Sequence, residues 1–246
     1  MRAVFGLFTA FPIDSDPADI GAGWLATVLV GLVLGGAWFM VHQIFVRVGG
    51  PFVAAGAVLL LHVALTGGRS LRGVAGVSAA ITREPDEEGT DGLPGVEGAA
   101  TAVVVLLLLI ASSFLIRVDV APAVLLMVPL IGKGVQALLL GEDDTGVGVQ
   151  PPGPGQKVGI AVTTIVGLAA APALVLLVRP VRLDAPIEGV GYLVLGILAL
   201  AVTLLVGLLA RAWLHARFGS LDADGWHALG AVTELTALAV VATRIS

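Results

Sequence analysis

The chain has 246 residues, of which 57% are hydrophobic and 13% charged, with a mean hydropathy of +1.02. Soluble domains carry about a quarter charged residues, so an ordinary water-soluble domain is excluded; the absence of cysteine excludes disulfides, thiolate metal sites and cysteine nucleophiles. Eighteen acidic residues outnumber thirteen basic ones, and no basic patch with interleaved aromatics marks a nucleic-acid partner. Only Lys133 and Lys157 are lysine. A lysine-poor, acid-rich surface suits high salt, and GC-rich coding would give the same arginine bias.

Residues 1–13 are short and apolar. Asp14, Asp16 and Asp19 follow where a signal peptide would have small residues, and Pro12 and Pro17 break the run, so an interfacial or re-entrant segment is expected. A bilayer core of about 30 Å needs about 20 apolar helical residues. Residues 24–46 supply them, with Gly31, Gly35 and Gly36 placed for close helix packing. Residues 52–66 reach only about 22 Å as a helix, too short to span alone. Gly67-Gly68 interrupts them and 71–81 resumes the apolar pattern. Irregular backbone at membrane depth survives only inside protein or beside water, so a broken helix entering a polar cavity is expected.

Residues 82–98 form a polar loop with Arg83, Glu84, Asp86, Glu87, Glu88, Asp91 and Glu97. Spans follow at 99–116 and at 122–140, the second carrying Lys133. The 141–157 loop holds Glu142-Asp143-Asp144 and a Pro/Gly-rich run that reads as mobile. That run has no Lys-Ser/Thr after it and no strand before it, so it is not a P-loop. Spans at 158–178 and 187–210, a polar helix-like connector at 211–225 and a last span at 226–243 complete the chain. The predicted fold class is all-α: a polytopic membrane helical bundle of about seven transmembrane helices, one broken near Gly67-Gly68, with residues 1–246 a single integral membrane domain.

Alternating the spans puts the N-terminus and the 67–98, 141–157 and 211–225 loops on one side. Arg2, Arg69, Arg72, Arg83, Lys157, Arg211 and Arg217 belong to that side; Arg47, Arg117, Arg179, Arg182 and Arg244 belong to the other. The excess makes the first side cytoplasmic and the location the plasma membrane. Most acidic residues gather on that same side.

Ionisable groups inside a bilayer are costly and face the bundle interior or water, which singles out Lys133 and Glu234 as a pair or as substrate contacts. His42 and His62 have no histidine or carboxylate at helical spacing and read as core hydrogen-bonding groups rather than metal ligands. His227 neighbours Asp222 and Asp224, a polar cluster that could take metal. The acidic 84–91 loop reads as a solvated surface or a magnesium site.

The order of segments resembles the cobalamin synthase family, the adenosylcobinamide-GDP ribazoletransferases or cobalamin-5′-phosphate synthases, nearly end to end. Leu7-Phe8-Thr9-Ala10-Phe11-Pro12-Ile13 is similar to that family's F-x-T-R-x-P, with Ala10 where Arg is usual. Gly31 and Gly35-Gly36 lie as in its P-x-x-G-x-x-x-G helix, and Leu65-Thr66-Gly67-Gly68-Arg69-Ser70-Leu71-Arg72-Gly73-Val74-Ala75-Gly76 parallels its T-G-G-x-H-x-D-G-x-A-D. Asp91-Gly92-Leu93-Pro94-Gly95-Val96-Glu97-Gly98 looks like D-S-R-x-G-x-x-G, and Leu229-Gly230-Ala231 with Glu234-Leu235 resembles the closing L-G-A-x-x-E-L. The resemblance implies a magnesium-dependent transfer joining α-ribazole or its 5′-phosphate to adenosylcobinamide-GDP with release of GMP. It implies as partners membrane lipid and the cobinamide-type and nucleotide-loop substrates. It leaves open a homo-oligomer or a complex with other cobalamin enzymes.

Where the family motif has His and three Asp, this chain has Ser70, Arg72, Gly76 and Ala79. Asp222 and Asp224 align with a later Asp of the family only with a shift. The substrate-binding candidates are therefore Gly67, Gly68, Arg69, Arg72 and Gly73; the catalytic candidates are Asp91, Lys133 and Glu234; the metal candidates, for Mg²⁺, are Asp91, Glu97, Asp222 and Asp224. Three readings follow: a transferase whose metal is held by these other carboxylates, a catalytically degenerate homologue acting as a membrane subunit or binding phosphorylated ligand through Arg69 and Arg72, or a transporter with a broken helix and intramembrane charge. No clear internal repeat favours the last.

Overall fold

The computed structural model describes residues 6–9, 23–82, 101–103, 105–106, 108, 121–144, 146–147, 149–178 and 186–245. Six named helices run through them: α1 (Ala26–Thr66), α2 (Arg69–Thr82), α3 (Ala121–Leu139), α4 (Pro154–Val178), α5 (Pro186–Phe218) and α6 (Ala223–Ile245). The only pairing between extended segments among the described residues is one bridge, Gly146 with Asp222. The chain is an all-α membrane bundle. Gly23–Thr66, Gly191–Phe218 and Ala223–Ala242 are long and apolar enough to cross a bilayer, and Val124–Leu139 is a shorter apolar helix. The predicted 99–116 span lies mostly outside the described residues.

The span predicted at 24–46 and the shorter apolar stretch at 52–66 are joined in α1 through a kink. Gly50 takes φ 79° and ψ −179°, and Pro51, which has no N–H to donate, begins the second arm. Helix α3 is the axis of the bundle. Apart from Lys133 and Gln136 its side chains are apolar, and Val124–Leu139 is buried except for the half-covered Leu138. α1, α4, α5 and α6 all pack on it. The closest approach is α1 on α3. A Cβ at Gly31 would lie 2.7 Å from Leu130 Cα, and one at Gly35 2.8 Å from Leu126 Cα and 2.9 Å from the Leu125 oxygen. Pro129 cannot donate to that Leu125 carbonyl, so bare glycine surface meets a carbonyl without its helical donor. Gly36 faces open space; of the three glycines predicted to pack, two do.

The 211–225 connector is not a separate segment. Arg211–Phe218 continues α5, Gly219 turns the chain at φ 82°, and α6 begins at Ala223. The loop after α3 is pinned rather than loose. Trp24 Nε1 donates to the Gln150 carbonyl at 3.1 Å. The start of α4 is capped, with Pro154 at its first position and the Gly153 N–H donating to Gln156 Oε1 at 2.9 Å.

These contacts set Trp24 against the 141–150 loop, and the bridge from Gly146 to Asp222 sets the start of α6 beside the same loop.

Candidate functional site

The break between α1 and α2 is a Schellman turn. The Gly67 and Gly68 N–H groups donate to the Ala64 and Val63 carbonyls at 3.4 and 2.9 Å. Both glycines have positive φ, 63° and 66°, a conformation that a side chain strains. The turn lays α2 against α6. Contact is backbone to backbone at Gly73, where a Cβ would lie 2.6 Å from the Ala228 nitrogen and 2.6 Å from the Asp224 oxygen. One turn on, a Cβ at Gly76 would lie 2.5 Å from Asp224 Oδ2. The Asp224 carboxylate of α6 thus fills the space that a side chain at position 76 of α2 would occupy.

The polar candidates around this crossing divide. Arg69 donates to the backbone carbonyls of Gly6 and Leu7, the latter at 3.1 Å, so its guanidinium holds the N-terminal segment. Arg72 is exposed and within electrostatic range of Asp224, as is Asp222. Ser70 is buried. Asp222 caps α6: its Oδ1 accepts the Gly225 N–H at 2.7 Å. His227 sits among cations, with Lys133, Arg69 and Arg72 all close enough to act on it.

A magnesium ion needs several oxygens at about 2.0–2.1 Å. Among the described residues no three His, Asp or Glu side chains come together to hold a metal. With Asp222 committed to a cap and Asp224 beside an arginine, the described residues do not by themselves fit the ion. Asp91, Glu97 and the rest of the 84–91 loop lie outside the described residues.

Lys133 and Glu234 do meet. Lys133 Nζ stands 3.1 Å from Glu234 Oε1, with both side chains at most 5% exposed. Gly132 and Gly134, either side of the lysine, clear the space. A side chain at 132 would collide with Glu234, and one at 134 would come within 2.5 Å of Thr164 Oγ1. Lys133 also bonds Gln136 Oε1 at 3.5 Å, and Gln136 Nε2 in turn donates to the Trp226 carbonyl at 2.9 Å. The Phe8 ring lies 5.4 Å from the ammonium, in cation–π range.

His62 completes this group. Its Nε2 is 3.5 Å from Glu234 Oε2, and its ring meets Trp38 edge-on at 5.1 Å. Its carboxylate partner lies on another helix, which is why a search at helical spacing missed it. His62, Glu234, Trp38, Thr66 and Ser70 line a partly open cavity whose other walls include Val58, Leu71, Ala231 and Leu238. The arrangement brings a carboxylate and a histidine to the wall of a mostly apolar cavity, with Lys133 pairing the carboxylate from outside the lining.

A second ionic group joins the loop after α3 to the end of α5. Asp144 is 1% exposed. It accepts from the Gly141 N–H at 2.7 Å, Arg211 Nη2 at 3.1 Å and the Leu221 N–H at 3.4 Å, and meets His215 Nε2 at 2.6 Å. Burial alone would push this carboxyl up, but the Gly141 N–H, the Arg211 charge and the His215 contact together hold it below its ordinary value. The signal was present in the sequence: Arg211 and His215 are four apart on one helical face.

Residues 1–244 match the family model described as CobS, cobalamin-5-phosphate synthase. No curated protein and no solved structure matches the chain.

Proposed function

The chain belongs to the CobS, cobalamin-5-phosphate synthase, family, and we propose that it serves that step of cobalamin biosynthesis as a membrane subunit that does not itself carry out the transfer. The carrying observation is the α2–α6 crossing. Arg72 occupies the place of a motif aspartate there, and Asp224, the nearest carboxylate, lies within its electrostatic range. A guanidinium cannot ligate a divalent cation and repels it. Phosphoryl transfer depends on neutralising phosphate charge with a metal and aligning the incoming hydroxyl, and an arginine at the motif position works against holding that metal.

One observation favours an active transferase instead. Asp224 Oδ2 fills the side-chain space of position 76, so a carboxylate from α6 stands where the family motif places one on α2. A single assay separates the two. The purified protein is incubated with adenosylcobinamide-GDP, α-ribazole and Mg²⁺ beside a family member with the complete motif. The subunit reading expects product only from the latter; product from this chain alone overturns it.

A further inference from the structure

Helix α1 folds back on itself at Gly50, where Pro51 starts the second arm. Trp38 on the first arm and His62 on the second meet ring to ring at 5.1 Å, whereas a straight helix would part them by about 36 Å. Residues 44–53 are therefore the tip of a helical hairpin. The tip is apolar where it is most exposed: Val48 is 83% exposed, Phe52 61% and Ile44 56%. Arg47 is exposed among them and has no hydrogen-bond or ion-pair partner among the described residues. Between Asp19 and Arg69 it is the only Asp, Glu, Lys or Arg in the chain.

Length gives the tip a depth. The other end of the first arm is tied to the 141–150 loop by Trp24 Nε1 on the Gln150 carbonyl. Glu142 and Asp143 are exposed on that loop, so this end stands at a membrane surface. From Ala26 to the Gly50 break the arm rises about 36 Å, against about 30 Å of hydrocarbon and about 40–45 Å with both headgroup layers. The tip thus ends among the headgroups of the opposite leaflet, short of bulk water. Exposed Val, Ile and Phe side chains are ill-suited to water and a lone arginine to hydrocarbon; the boundary between headgroups and acyl chains suits both. We propose that the hairpin tip is a phospholipid-binding surface, with Val48 and Phe52 among the upper acyl chains and Arg47 on a lipid phosphate. A guanidinium matches phosphate oxygens in pairs. A second copy of this chain is the poorer occupant, since a two-fold contact through the tips would bring Arg47 towards Arg47.

The chain has no cysteine, so Val48→Cys carries a bimane label without background. The full chain is placed in phosphatidylcholine nanodiscs, one chain per disc, and compared with the same label at Asp143→Cys. The Val48 label is expected to be quenched at least threefold more by lipids brominated in the upper acyl chain, and at least threefold less by aqueous iodide. Arg47 is read by carbon–phosphorus dipolar NMR on arginine-labelled protein, where a close guanidinium-to-phosphate contact is expected that is lost in Arg47→Gln. A Val48 label as open to iodide as the Asp143 one, or a phosphate contact unchanged in Arg47→Gln, overturns the proposal. So does protection from iodide that arises only with two chains in a disc, the result a second copy would give.

Discussion

Two carboxylates, Asp144 and Glu234, each sit between a cation and a histidine, and they are provided for very differently. Asp144 joins Arg211 and His215 and also takes two backbone N–H groups. Glu234 joins Lys133 and His62, on other helices, at 3.1 and 3.5 Å, with an oxygen that receives no aligned hydrogen bond. The first group is saturated and ties the loop after α3 to the end of α5, so it acts as a fastening. The second is under-provided, lies in the body of the bundle and opens on a cavity, which is where a membrane protein keeps groups that meet a ligand.

The contrast is broken most directly at Glu234. Glu234→Ala leaves the Lys133 ammonium buried without its partner, a loss of about 3–5 kcal/mol. Lys133→Met combined with Glu234→Leu removes both charges and is expected to recover most of that. Reversible unfolding in mixed micelles measures both. A single variant no less stable than the double would mean that the pair is not the source of the cost.

The second test moves α6 without touching a charge. Gly73→Ala pushes a methyl into the backbone of Ala228 and Asp224, and overpacking against backbone costs about 1–3 kcal/mol. Because Glu234 rides on α6 while Asp144 lies on the loop after α3, the shift should be felt at the Lys133–Glu234 pair and not at the Asp144 group. Unfolding midpoints of Gly73→Ala, of Asp144→Asn and of their double variant read this out. Additivity of the two is the expected result, and coupling above about 0.5 kcal/mol would contradict it.

Much of this was legible in the sequence, and what was missed shares one cause. The glycine pair at 67–68, the packing glycines at 31 and 35 and the charged residues inside apolar runs are local signals, and each lies where its local chemistry required. The extension of α5 through Arg211 was missed because its polarity reads as a connector until Asp144 is known to be its partner. His62 reads as an isolated core histidine until α6 is laid beside α1. Both errors concern partners far apart in sequence, which periodicity does not carry. The role of Arg72 has the same character: its electrostatic neighbour Asp224 comes from the opposite end of the chain.

A smaller effect comes from the fastening itself. Asp144→Asn keeps the shape and loses the charge, an expected cost of about 1–2 kcal/mol at neutral pH, since Arg211 remains 25% exposed and its attraction is partly screened. The pH dependence fixes the sign. The folded carboxyl titrates below its ordinary value, so its contribution is fully present above the unfolded value of about 4 and fades as pH falls through the folded value. The stability gap between wild type and Asp144→Asn should therefore be constant from pH 7 to about 5 and close below about 4. A gap that widens with acid would contradict the assignment.

The smallest effect is expected at Arg72, and it sharpens the comparison from the other side. Arg72 is exposed and is paired with Asp224 only through charge at a distance. Exposed attractions of that sort contribute about 0–1 kcal/mol and weaken with salt. Arg72→Ala is accordingly expected to change stability by no more than about 0.5 kcal/mol, and by less in high salt. Arg69→Ala, which releases the Gly6 and Leu7 carbonyls, should cost more at any salt concentration. If Arg72→Ala proves as costly as Arg69→Ala, the arginine at the motif position is built into the bundle in the way that Arg211 is built into the Asp144 group. A negligible cost leaves its charge free to act on whatever approaches the α2–α6 crossing.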